Sequence, residues 1–158
     1  MCGINGIINF NNKTTDDHIH IMNDLLKHRG PDGMGSYKNQ NLLLGHTRLS
    51  IQDLSEKGQQ PMTNDQNLWI IFNGEIYNFK KIKNELIELG HKFYSNTDTE
   101  VILNSYKQWG ISAFKKFNGM WAFAIYDALK KELLISRDRY GVKPCYYFND
   151  KDKFIFSS

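Results

Sequence analysis

No run of apolar residues in this sequence approaches the length that spans a bilayer. A concentrated basic stripe is also missing. The densest basic clusters are the pairs Lys80-Lys81, Lys115-Lys116 and Lys130-Lys131, each with acids nearby, and the net charge is only +3. Such pairs read as solvated helix or loop positions, so neither a membrane nor a nucleic acid is expected as a partner. Cysteine is scarce: Cys2 and Cys145 could form at most one bridge between the chain ends, which excludes a disulfide scaffold. The opening "MCGINGIINF" lacks a basic leading region, and "NNKTTDD" soon interrupts its apolar stretch, unlike a secretory leader. A cytoplasmic, reducing location is therefore expected. No Cys-x-x-Cys pair exists, His18 and His20 are two apart on a helical stretch, and His28, His46 and His91 have no ligand spacing, so no metal is expected. Gly-Lys-Ser/Thr phosphate loops and Gly-x-Ser-x-Gly elbows are absent as well.

What remains is a chain of 158 residues, 41% hydrophobic and 23% charged, the profile of one soluble globular domain with neither repeat nor long linker. Apolar runs of strand length recur: Ile4–Phe10, Leu42–Leu44 leading into "GHTRLSI", Leu68–Phe72, "MWAFAIYD", "ELLISRD", "CYYF" and "FIF". Their continuity predicts sheets buried on both faces. Helical spacing appears in "DDHIHIMNDLLKHRG", with Ile19, Met22, Leu25 and Leu26 on one face and a stop at Gly30. "FKKIKNELIELG" groups Phe79, Ile82, Leu86 and Leu89, and "TDTEVILNSYKQWG" opens with Thr97 and Glu100 at capping-box spacing. "ISAFKKF" reads as a short helix or turn. Strands outnumber helices and do not alternate with them. The fold class is therefore α+β, mainly antiparallel sheets covered by helices.

Four stretches bear on chemistry. In "HRGPDGMG", Gly30 ends a helix and Pro31-Asp32-Gly33 makes a turn that could border a site. In "WIIFNGEIYNF", Asn73-Gly74 between apolar runs predicts a hairpin turn. Such a turn would also aim the Asn73 amide and the Gly74 N–H in one direction, as a pair of oxyanion donors must be aimed. Arg48 in "GHTRLSI" is either a structural salt-bridge partner or a bidentate holder of a carboxylate. Asp98 sits in the first turn of a helix, where an acid suits the dipole, or else accepts from a ligand ammonium. Cys2 is ordinarily a small buried hydrophobe on an edge strand. Loss of Met1 would change that. The freed α-amine, with an ordinary pKa of roughly 7.7–8.0, is a suitable base at neutral pH and is tethered beside the thiol.

Taken together, "MCGI", "HRGPDG", "GHTRLSI", "QQPM", "NGEIYN", "TDTEVIL", "GMWAFAIYD" and "RDRYGVKPCYY" resemble the class II glutamine amidotransferase domain of asparagine synthetases, in order and over essentially the whole chain. "NGEIYN" and "RDRYGVKP" favour that branch over the sugar-phosphate and purine-pathway branches. The resemblance implies a four-layer αββα N-terminal-nucleophile hydrolase fold over residues 1–158, with Met1 removed. It implies Cys2 as nucleophile with its own amine as base, and Asn73 and Gly74 as the oxyanion hole. Arg48 would bind the α-carboxylate of L-glutamine, with backbone contacts from Leu49 and Ile51. Glu75 and Asp98 would bind the α-ammonium group and the side-chain amide.

The implied reaction is acyl transfer from glutamine to the Cys2 thiol, release of ammonia, and hydrolysis of the thioester to glutamate. No cofactor is implied for this domain. In the family a C-terminal synthetase domain of the same polypeptide uses ATP and Mg to amidate aspartate, and its Ser-Gly-Gly-x-Asp-Ser loop is not in this sequence. The expectation is therefore a glutaminase fragment of a longer protein, with a homodimer left open. Alternatives are the same domain from an amidotransferase acting on another carboxylate (on a cell-surface sugar or a secondary metabolite), a non-catalytic glutamine-binding module, and a thiol redox or metal module.

Overall fold

The computed structural model describes residues 1–11 and 16–158. From the amino end, β1 (Gly3–Asn9) leads to α1 (Asp16–Leu26), β2 (Gly33–Asn39) and β3 (Leu42–Arg48). A long loop then reaches β4 (Met62–Thr63) and β5 (Leu68–Ile76), followed by α2 (Phe79–Glu88) and α3 (Asp98–Trp109). The chain returns through β6 (Gly119–Asp127), β7 (Glu132–Arg137), β8 (Tyr146–Asn149) and β9 (Lys153–Ser157). One sheet has the order β2-β3-β1-β9-β8 and the other β4-β5-β6-β7, with every strand pair antiparallel.

Three apolar clusters define four layers. Ile7, Ile19 and Leu43 join α1 to the outer face of the first sheet. Ile4, Leu44 and Phe156 meet Ile71, Ala122 and Ala124 between the sheets. Ile70, Phe72 and Phe123 meet Leu86, Val101 and Ile102 where α2 and α3 cover the second sheet. The α+β, αββα architecture follows. Strands β3 and most of β6 are buried along their length, as sheets covered on both faces require.

Several elements depart from the sequence reading. Asn73-Gly74 is not a turn. β5 runs straight through it, pairing Asn73 with Ala122 and Gly74 with Trp121. The glycine answers a different need. A Cβ there would lie 2.2 Å from the Met120 carbonyl oxygen and 2.8 Å from the Trp121 Cα, so two backbones approach where no side chain fits. β2 went unread because "GMGSYKN" alternates without an apolar run. On α1, Leu25 is exposed and Asn23 takes the inward position, donating to the Gly35 carbonyl at 3.2 Å and accepting from Asn5 at 2.8 Å. Leu89 follows the last turn of α2 and is exposed. "CYYF" is not buried on both faces: β8 is a sheet edge with all four residues exposed. Among the described residues no helix is long and apolar enough to cross a membrane.

Candidate active site

The two sheets, the 49–60 loop and the start of α3 enclose a cavity of about 120 Å³. Its wall includes Cys2, Arg48, Asn73, Gly74 and Asp98, with Leu49, Ile51 and Glu75 beside them. All eight candidate residues thus border one space, although their chain positions range from the second residue to the ninety-eighth.

Cys2 is placed by β1, which is laddered on one side to β3 and on the other to β9. Its Sγ donates to the Leu49 carbonyl at 3.6 Å and accepts from the Leu49 N–H at 3.4 Å. Arg29, just past α1, donates from Nε to the Cys2 carbonyl at 3.1 Å. The Asn73 amide, oriented so that both its ends are satisfied, donates from Nδ2 to the same carbonyl at 3.2 Å and accepts from Arg29 Nη2 at 3.3 Å. Arg29 therefore ties the thiol residue to Asn73, and the second Nδ2 hydrogen of Asn73 stays available. A basic residue ending a helix is ordinary, so nothing in the sequence marks Arg29.

The free edge of β5 shapes the opposite wall. Residues of an antiparallel pair alternate between ladder-bonded and outward-facing main-chain groups. Phe72 and Ile76 face outward: the Phe72 N–H donates to Gln60 Oε1 at 2.6 Å and the Ile76 N–H to Asp98 Oδ2 at 2.9 Å. Gly74, midway between them, turns its N–H the same way and borders the cavity. The Phe72 carbonyl accepts from His46 Nε2 at 3.3 Å, which fixes the donor tautomer. Burial pushes His46 down to about 3, against the pull of that bond and with some help from Arg48, so it is neutral at ordinary pH.

Arg48 is nearly buried and its guanidinium donates to the carbonyls of Ser55, at 2.9 Å, and Asp53. The guanidinium carries five N–H donors, more than these two carbonyls use, and Arg48 lines the cavity. Asp98 opens α3, where Thr97 caps by accepting from the Glu100 N–H at 3.3 Å. Glu100 does not close a standard capping box; it accepts from the Tyr94 and Ser95 N–H groups instead. Burial raises the Asp98 carboxyl to about 6, against the Ile76 N–H bond, and the charge of Glu75 adds to the rise. Among the described residues no cation pairs with Asp98; its side-chain partner is the Gln52 amide at 3.5 Å. A buried carboxylate with no cation is suited to an incoming ammonium.

Ile51 is exposed at the rim. Lys143 lies on the wall beside Met1, whose Sδ accepts from its Nζ at 3.0 Å. "RDRYGVKP" is held rigid by Asp138, which accepts from the N–H groups of Trp121, Tyr140, Val142 and Lys143. Cys145 is a free thiol raised by burial, with Arg137 opposing, and Cys2 is also free, so the two are not bridged. Among the described residues no cluster of His, Cys, Asp and Glu could hold a metal.

The family described as a glutamine amidotransferase domain matches residues 1–158. The whole chain is 46% identical to 34% of a protein named putative asparagine synthetase [glutamine-hydrolyzing] 2 of Methanocaldococcus jannaschii. Over 96% of its length it is 38% identical to 27% of asparagine synthetase B [glutamine-hydrolyzing] of Escherichia coli. The chain thus spans about a third or less of these curated relatives. Among solved structures, glutamine phosphoribosylpyrophosphate amidotransferase from B. subtilis superposes with a TM-score of 0.84 over 99% of this chain and 41% of its own, at 19% identity, which establishes the fold alone.

Proposed function

The chain belongs to the glutamine amidotransferase domain family, and from that premise we propose that its cavity hydrolyses L-glutamine at Cys2. The observation that carries the reading is the convergence around one cavity of a thiol, a buried guanidinium, a buried carboxylate without a cation and an unladdered strand N–H. With Met1 removed, the Cys2 α-amine takes the thiol proton, directly or through a water. The thiolate attacks the side-chain carboxamide carbon of glutamine. The resulting oxyanion accepts from the spare Asn73 Nδ2 hydrogen and the Gly74 N–H; one such donor is worth about 2.7–4 kcal/mol in the transition state. The C–N bond breaks, and ammonia leaves with the proton held by the amine. Water then attacks the thioester, releasing glutamate and the thiol.

Arg48 holds the α-carboxylate, while Asp98, assisted by Glu75, receives the α-ammonium. Leu49 and Ile51 line the substrate with backbone groups. The zwitterion is thus clamped at a fixed distance from Cys2. The longer relatives are named for glutamine hydrolysis and asparagine synthesis. In keeping with those names, the ammonia is delivered to a synthetase domain that uses ATP and Mg²⁺ to convert aspartate to asparagine. Glutamate release by the Met1-free parent and by Cys2→Ala tests the reading. The parent is expected to release glutamate and the variant none while keeping its fold. Release by Cys2→Ala at the parent rate overturns the assignment.

A further inference from the structure

β5 has a covered edge and a mostly uncovered one. β6 ladders the first along the whole strand, whereas β4 reaches the second only at Trp69 and Ile70. Past Ile70 no strand flanks it on that side among the described residues. This is the stretch containing Gly74, whose N–H must point at a developing charge to within a few tenths of an ångström. A strand edge without a partner strand has no ladder to set that direction.

Gln60 supplies the missing restraint. Its Oε1 stands where the carbonyl of a longer β4 would stand and accepts from the Phe72 N–H at 2.6 Å. Its Nε2 donates to Thr99 Oγ1 at 3.2 Å, in the first turn of α3 beside Asp98. The side chain is buried, and the Gln60 backbone is wedged against Gly35, where a Cβ would come within 2.0 Å of the Gln60 carbonyl oxygen. An amide suits this place because it accepts at one end and donates at the other without burying a charge. With Asp98 fixing Ile76, Gln60 brackets Gly74 from the near side.

We propose that Gln60 is a positioning residue of the glutaminase reaction, aligning the Gly74 N–H with the oxyanion and coupling that alignment to the substrate-binding end of α3. The inference rests on the reading of Gly74 given above. It separates two kinds of Cys2 chemistry. Hydrolysis of glutamine passes through a tetrahedral oxyanion, whereas alkylation by iodoacetamide displaces iodide at a saturated carbon and forms none.

The test uses Gln60→Met, of similar volume but with neither amide group, in the Met1-free protein. We expect kcat for glutamine to fall about 10- to 100-fold with KM changed by less than about threefold. The rate of iodoacetamide alkylation of Cys2 is expected to stay at the parent value. Thr99→Val removes only the far anchor of Gln60, and should lower kcat in the same direction by a smaller factor even if Gln60→Met does not fold. A parent-level kcat in the variants overturns the inference, as does a fall in alkylation matching the fall in hydrolysis, which would mean general disruption. A parent protein that hydrolyses no glutamine overturns the underlying reading first.

Discussion

Replacing Asp98 by Asn is expected to strengthen the unliganded fold at neutral pH and to weaken glutamine binding. The carboxyl is held at about 6 instead of its ordinary 3.8, chiefly by burial. Keeping it ionised costs the native state about 3 kcal/mol. Asn keeps an oxygen for the Ile76 N–H and removes the charge. The sign fixes the pH window. Above about pH 6 both folded and unfolded chains are ionised, and the full cost falls on the folded one. Between about 6 and 4 the folded chain takes up the proton first, so the cost fades as pH falls. Urea unfolding of parent and variant across pH 4–8 reads this directly. The variant should be more stable by about 3 kcal/mol at pH 8 and nearly equal to the parent at pH 4. On a Cys2→Ala background, where glutamine is not consumed, saturating glutamine should close the gap at pH 8, because its ammonium pairs with the Asp98 carboxylate alone. A variant less stable than the parent at pH 8, or a gap that ignores pH, would mean that burial of the Asp98 charge does not cost the fold.

Other residues give sharper single outcomes. Arg29→Lys lacks the planar fork that reaches the Cys2 carbonyl from Nε and the Asn73 oxygen from Nη2, so glutamine kcat should fall about 10- to 100-fold, as a glutamate-release assay would record. Gly74→Ala forces a methyl against the Met120 carbonyl oxygen; a loss of about 1–3 kcal/mol in denaturant unfolding is expected, together with loss of hydrolysis. Free asparagine, one methylene shorter, should show a kcat/KM about 10- to 200-fold below that of glutamine if Arg48 and Asp98 clamp the other end.

The long apolar strands and the three helices were legible because their periodicities follow directly from burial. β2 was not, since an edge strand of glycines and polar residues around a single Met and Tyr carries little pattern. Asn73-Gly74 was misread because the rule for hairpins knows only local geometry, and here the glycine serves a cross-strand approach. Asn23 shows the same limit: a polar residue on the inward face of α1 is accommodated by Asn5 on β1 and Gly35 on β2. At the site, the motifs marked the residues with distinctive chemistry. Arg29, Gln60 and His46 act through main-chain groups of Cys2 and Phe72 that are remote in sequence. No spacing rule reports such contacts.

On the proposed chemistry Cys2, freed at its amine, is an activated thiol that recognises glutamine. Intact mass after incubation with the diazo-ketone analogue of glutamine tests it most directly. On protein lacking Met1 one stable adduct is expected, mapped to Cys2 and suppressed by excess glutamine. No adduct on that protein, or labelling at Cys145 that glutamine does not suppress, would contradict it.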